Sequence, residues 1–449
     1  MADHTLTQFA EPATTRLDVK ETEAGSVFVS NYPPYSFWSA VQVPDAFAAL
    51  NSAPEPTNTL GLYLHIPFCR KRCKFCYFRV YTDKNSSQIA EYLEALSREV
   101  QLYAEKPAVA GRPLKFVYFG GGTPSFISVK HLQHLVTRLK ASLSWDGVEE
   151  VTFECEPGTL SQAKLEAIRE IGVTRLSLGI ENFHDAILKE NGRAHLSREI
   201  YQVLPWIQDL QFQQLNVDLI AGMVGETWHT WKENVQRTID IDADSVTIYQ
   251  LELPFNTVYT RELSTGSNKI VVADWQTKRE WHDYAIEELS AAGYEISSAY
   301  TMVKDNHSCK FVYRDSVWRG TDMLGAGVAS FSHISGVHYQ NAAAWHDYLA
   351  KLQSNNLPLH RAFTATAEQQ LTREMILQLK LGKIKTKYFK EKFNTDILKK
   401  FERPLQKLQQ EGLLSCKQNE VRLTRSGLLR VDQLLPEFYS ESFRNARYT

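Results

Sequence analysis

Beginning near Leu60, short apolar runs alternate with longer stretches in which apolar positions recur every three or four residues. The runs GLYLHIPF, LKFVYFGGGTP, EVTFECEP, RLSLGIEN, QLNVDLIAG and SVTIYQLEL predict strands. The stretches at residues 88–106, 129–143, 161–171, 198–208 and 227–241 predict amphipathic helices between them. Strands separated by helices imply a parallel sheet. With short polar turns at the C-terminal strand ends, the pattern predicts an α/β fold, a barrel or partial barrel of (β/α)6 type. In such a fold the chemistry sits in the loops that follow the strands.

Residues 1–59 lack this periodicity. They are punctuated by Pro33, Pro34, Pro44, Pro54 and Pro56 and by Tyr32, Tyr35, Phe37 and Trp38, and read as an N-terminal arm packed on the main domain. Residues 60–255 form the barrel core, and residues 256–362, with apolar runs such as TDMLGAGVASFS, complete the barrel and cover its site. From residue 363 a lysine-rich helical segment leads to EGLLSCKQNEVRLTRSG, a hairpin pattern with a glycine turn. Residues 363–449 therefore read as a small helical, winged-helix-like domain.

Composition narrows the function. The 449 residues are 43% hydrophobic and 23% charged, which suits a folded globular chain, and the formal net charge of −2 argues against nucleic acid or anionic lipid as the main partner. No stretch approaches the roughly 18 apolar residues of a membrane helix, and MADHTLTQFAEPATT lacks the pattern of a signal peptide, so a cytoplasmic location is expected. Of the six cysteines, Cys69, Cys73 and Cys76 lie close together while Cys155, Cys309 and Cys416 are scattered. Such clustering points to metal or redox chemistry rather than a disulfide framework.

The clustered cysteines follow the first strand in YLHIPFCRKRCKFCYF, with C-x3-C-x2-C spacing and no fourth cysteine near. Three thiolates on one loop can hold three corners of an iron–sulfur cube and leave the fourth iron open. A structural zinc site is the competing reading. Zinc needs a fourth ligand, for which His65 is placed, but structural zinc sites usually show paired C-x2-C elements and this loop does not. Arg70, Lys71, Arg72, Lys74 and Arg79 make the loop basic. Those cations can ease cluster reduction, receive carboxylates or an acidic electron donor, or simply be solvated.

The segment YLHIPFC…CKFCYF resembles the signature of radical S-adenosylmethionine (SAM) enzymes. Its Tyr-x-His-Ile-Pro-Phe-Cys lead-in resembles the oxygen-independent coproporphyrinogen III oxidase family in particular, over most of the chain from about Gly61. The resemblance implies a radical SAM barrel with a [4Fe-4S] cluster on Cys69, Cys73 and Cys76. It also implies one SAM, or two, and a 5′-deoxyadenosyl radical that abstracts hydrogen from a porphyrin-like or other small molecule. It places cofactor contacts at Tyr63, Phe75, Gly121, Gly122, Thr123, Glu154, Glu181, Arg193 and Asp218, and names no catalytic residue. Glycines in FGGGTP would let main-chain groups approach a small ligand, although a tight turn explains them equally. Asp218 inside an apolar strand needs a partner, which a ribose would supply. A surface ion pair explains Arg193 as well as a cofactor contact does.

Three departures bear on the activity. Phe78 stands where the family's oxidases carry a further cysteine, Glu181 stands where they carry a glutamine, and GMVGET replaces a Gly-Leu-Pro turn. Three functions follow from the resemblance: an oxidase that decarboxylates propionates, a methyl or methylene transferase using a second SAM, and a haem chaperone, for which His65 would be examined as a haem ligand. The expected partners are a small-molecule substrate and an electron donor such as flavodoxin or ferredoxin, with the chain a monomer.

Overall fold

A computed structural model describes residues 22–264 and 270–444. The barrel strands are β1 (Leu60–Ile66), β2 (Leu114–Gly121), β3 (Glu150–Cys155), β4 (Arg175–Glu181), β5 (Gln214–Ala221) and β6 (Ser245–Gln250). They pair in parallel in that order. The helices as far as residue 291 are α1 (Val43–Leu50), α2 (Ser86–Ala104), α3 (Val129–Ser142), α4 (Gln162–Glu170), α5 (Asp185–Glu190), α6 (Ser197–Leu210), α7 (Trp228–Ile241), α8 (Val258–Ser264) and α9 (Trp275–Ala291). Local signals fix several helix ends. Asn85 caps α2 by accepting from the Gln88 amide while the Gln88 side chain accepts from the Asn85 amide, and Thr227 and Thr230 form the same box on α7.

Two elements go beyond the sequence pattern. The short α5 lies inside ENFHDAILKENGR. The TDMLGAGVASFS run supplies a further strand, which pairs in parallel with β1 on the side away from β2. After β7 (Glu295–Ile296) and β8 (Thr301–Val303), this strand is β9 (Asp322–Ala326), followed by β10 (Phe331–Ile334), β11 (Val337–Asn341) and β12 (Leu359–Thr364). The twelve-stranded sheet runs β12-β11-β10-β9-β1-β2-β3-β4-β5-β6-β8-β7. It is parallel in its centre and antiparallel at both edges.

The C-terminal region has its own sheet of β13 (Lys383–Lys385), β14 (Leu414–Lys417) and β15 (Glu420–Leu423), in the order β13-β15-β14 and antiparallel. Its apolar core also includes Val29 and Tyr32 of the arm and Ala299. The arm crosses both parts: Ser39 and Ala362 exchange backbone hydrogen bonds of 2.9 Å, and α1 packs on β12. No described helix is long and apolar enough to cross a membrane.

Candidate active site

The loop after β1 carries the three cysteines and is closed on itself, Cys69 N–H donating to the Tyr81 carbonyl (3.1 Å) and Tyr81 N–H to that of Pro67 (2.7 Å). It is also tied to its neighbours. The Lys74 amide donates to the Asn191 carbonyl (3.0 Å), and the Lys74 carbonyl accepts from Val258 and Tyr259. Two sulfurs meet polar donors: Thr123 Oγ1 lies 3.3 Å from Cys69 Sγ and Arg193 Nη1 lies 3.4 Å from Cys73 Sγ. Burial pushes the Cys69 thiol up to about 11 and Cys76 up to about 12, so metal bound there displaces protons. Three thiols on one loop line one cavity, two of them beside hydrogen-bond donors, and this donor set suits an iron–sulfur cube, although among the described residues the three do not converge into a ready-made metal site.

His65 is no fourth ligand. It is buried on β1, with Nε2 3.2 Å from the Arg79 carbonyl and Nδ1 3.4 Å from the Tyr63 hydroxyl. Burial pushes its pKa down to about 4. It therefore braces the loop as a neutral ring, away from the cavity wall, which also removes it as a haem ligand in this arrangement.

The FGGGTP turn packs against that same loop. A side chain at Gly121, whose φ is +112°, would meet the His65 ring at 2.4 Å, and one at Gly122 would meet the Ile66 carbonyl at 2.9 Å. The amides of Gly121, Gly122 and Thr123 donate to Glu154, Ile66 and Phe68. Carbonyl oxygen is thus what the turn can offer a cationic amine.

Side chains from alternate strand positions fill the interior. Ser177 and Gly179 on β4 lie opposite Asn216 and Asp218 on β5, and Asp218 lies opposite Thr247 on β6. Glu154 accepts from the Tyr118 hydroxyl (2.7 Å), and burial pushes its carboxyl up to about 7. Asp218 accepts from Ser177 Oγ and Asn216 Nδ2, each at 2.9 Å, and burial raises it too. A bulge between Gly179 and Glu181 puts Glu181 at φ +65°, left-handed backbone that a non-glycine residue adopts only when its surroundings impose it. Its carboxylate lies 3.6 Å from Arg193 Nη1, while Arg193 Nη2 donates to the Gly179 carbonyl (2.7 Å). Arg193 is therefore buried between Cys73, Glu181 and β4, not a surface ion pair.

These groups open into one cavity of about 570 Å³. Phe75, Gly121, Gly122, Thr123, Glu154, Glu181, Arg193 and Asp218 all line it with the three cysteines, whereas Tyr63 stacks behind Tyr118, ring centroids 5.7 Å apart. The floor is Arg175, 4.1 Å over the Phe311 ring. The roof combines Val27 and Phe28 of the arm, Glu252 and Tyr300 of the barrel, and residues 428–433 of the C-terminal region.

A family model described as the radical SAM superfamily matches residues 63–237, a span that begins in β1 and includes the cysteine loop. The chain carries a radical SAM domain. A second family model, described as the HemN C-terminal domain, matches residues 365–430. Among curated relatives of this radical SAM chain, heme chaperone HemW of Bacillus subtilis is 27% identical, over 84% of this chain and 99% of that protein. Oxygen-independent coproporphyrinogen III oxidase of Salmonella typhimurium is 25% identical over 84% of each. Of solved structures, coproporphyrinogen III oxidase (HemN) of Escherichia coli superposes with a TM-score of 0.78 at 22% identity, covering 92% of this chain and 96% of that one, which establishes the shared fold.

Glu156, two residues after Glu154, also lines the cavity. Pro157 ends the strand, and Glu156 turns to accept from Arg70 Nη2 (3.0 Å), His195 Nδ1 (3.0 Å) and the Gly158 amide (3.1 Å). It thereby joins the cysteine loop to the Arg193-bearing segment. Only folding brings the ECEP and GRAH segments together. Arg175, Arg279 and Arg430 had no local signal, since they reach the cavity from a strand base, a helix and the far C-terminal region.

Proposed function

We propose that this protein is a radical SAM enzyme whose substrate is a porphyrinogen-like small molecule, as in its coproporphyrinogen III oxidase relatives. The observation that carries the reading is continuity. One continuous cavity runs from the three thiols past Glu154, Asp218 and Glu181 to aromatic walls of Tyr118, Tyr249 and Phe311, so the radical source and the substrate would share one space.

In this reading Cys69, Cys73 and Cys76 hold a [4Fe-4S] cluster with one open iron. With cluster and SAM bound, reductive cleavage of the carbon–sulfur bond supplies a 5′-deoxyadenosyl radical. The chain's own groups position the cofactor. The Gly121–Thr123 turn receives the amine, Arg193 sits between the cluster loop and the strand ends, Glu154 and Asp218 accept from amine or hydroxyl groups, and Phe75 provides an apolar wall. Glu181 at the mouth favours a cationic group, including a second SAM, over a carboxylate. Exposed Lys71 and Arg79 and the stacked Tyr77–Phe78 pair (4.5 Å) suit an acidic one-electron donor such as flavodoxin or ferredoxin. Lys74 is already paired with Glu190 (2.9 Å).

A second reading, haem delivery, is favoured by the HemW relatives, of which this chain covers nearly the whole length. The test is anaerobic reconstitution with iron and sulfide, then incubation with SAM, reductant and coproporphyrinogen III, followed by mass analysis. Loss of carbon dioxide with 5′-deoxyadenosine formation supports the oxidase, and gain of a methyl group supports transfer. Tight haem binding with no change to coproporphyrinogen overturns both in favour of the chaperone.

A further inference from the structure

Two part-buried arginines at the cavity roof, each with a buried Nε, lack a paired counter-charge. Arg279 projects from α9 of the barrel, and Arg430 lies between the helices Arg425–Leu428 and Val431–Leu434 of the C-terminal region. Both line the cavity. Among the described residues neither forms an ion pair, and the buried Nε of each has no hydrogen-bond partner. Arg279 Nη2 donates to Gln433 Oε1 (2.6 Å), a neutral acceptor. Burial first, and then the neighbouring Arg430 charge, lowers Arg279 to about 10. Lys278 lies behind them, 3.6 Å over the Trp275 ring and donating to the Leu251 carbonyl (2.8 Å) and Thr22 Oγ1 (2.7 Å), and burial pushes its pKa down to about 7, so it adds only a partial positive charge.

The acids nearby are engaged elsewhere. Glu252 accepts from Ser26 Oγ and from the Val27 and Phe28 amides. Asp432 accepts from the Val29 amide, the Tyr300 hydroxyl and Lys380 Nζ. Asp274 caps α9 through the Thr277 amide (2.7 Å). Like charges held together in a partly dry roof cost free energy unless an anion joins them.

We infer that Arg279 and Arg430 form an anion subsite that takes a carboxylate of the bound small molecule, bridging barrel and C-terminal region. The inference rests on the substrate-cavity reading above. It assigns the substrate's acidic end to the roof, while the acid-rich strand ends receive the cationic cofactor. Two planar guanidinium forks suit a carboxylate, which can accept two bonds from each.

The test uses the full chain, reconstituted anaerobically, with coproporphyrin III, a tetracarboxylate, as probe and its tetramethyl ester as the neutral counterpart. Binding is read by quenching of tryptophan fluorescence, to which Trp275 beside Arg279 contributes. Arg279→Gln and Arg430→Gln should each weaken the tetraacid about ten-fold and leave the ester unchanged. Gln433→Glu supplies an internal carboxylate, and should raise the thermal midpoint while weakening the tetraacid. That variant keeps the test sound if Arg430→Gln loosens the fold. Equal tetraacid binding by wild type, Arg279→Gln and Gln433→Glu overturns the subsite, as does a wild type with no preference for acid over ester. SAM cleavage without substrate is measured on the same samples. Its absence in wild type would count against the radical reading, separately from the subsite.

Discussion

At the residue scale, Glu156 shows how a carboxylate can matter without touching a cofactor. Burial works against its charge, but His195, Arg193 and Arg70 more than compensate and hold it down to about 2. A depressed carboxylate contributes stability that is fully present above its unfolded value near 4.3 and is lost as pH falls toward the folded value. Wild type should therefore lose up to about 3 kcal/mol between about pH 5 and 2 that Glu156→Gln does not lose, as read by denaturant titration at each pH. The cysteines were legible from spacing alone. Ala at Cys69, Cys73 or Cys76 should abolish reconstituted iron and visible absorbance, whereas Ala at Cys155, Cys309 or Cys416 should leave both intact. Full iron loading in the variant lacking the first three would refute the assignment. Glu181 was legible as a departure, but its left-handed backbone was not, because nothing in GIENF announces a bulge. Glu181→Gln should retain 5′-deoxyadenosine formation without substrate. Glu181→Gly should gain up to about 1 kcal/mol from relief of backbone strain, seen as a higher thermal midpoint.

At the scale of elements, the parallel strands were legible because burial on both faces makes each one a continuous apolar run. The helices between them showed through their 3.6-residue period. Failure came where those signals are short. With six residues, α5 covers less than two turns, and β9 shows only as a short apolar run in the barrel-completing region, whose pairing with β1 the pattern does not specify. What secures β9 is a long-range contact invisible in sequence. Glu99, buried on α2, accepts from the Gly327 amide (2.8 Å), Asn341 Nδ2 (2.6 Å) and the Tyr348 hydroxyl (2.7 Å). Glu99→Ala removes the acceptor of the Gly327 amide and the Tyr348 hydroxyl and one of several acceptors of Asn341 Nδ2, and should cost about 3 kcal/mol, read as a lower denaturant midpoint with an unchanged slope. An unaltered midpoint would show that water replaces the carboxylate there.

At the scale of the whole molecule, the arm is the part sequence described least, since prolines and aromatics without periodicity show contact but not its target. The structure makes it a brace between barrel and C-terminal region. The Tyr32 ring lies 4.8 Å from that of Tyr439 and 5.5 Å from that of Phe443. Tyr32→Ala should cost about 3 kcal/mol or more and speed proteolysis of the C-terminal region ahead of the barrel. Simultaneous cleavage of both would refute an independent brace. The roof of the cavity has one more consequence. Its last segment, residues 428–433, is made long after the loop at residues 69–76, so a growing chain holds its thiols without the C-terminal part of their cover. The order of translation is then also an order of enclosure, in which the C-terminal part of the roof arrives last.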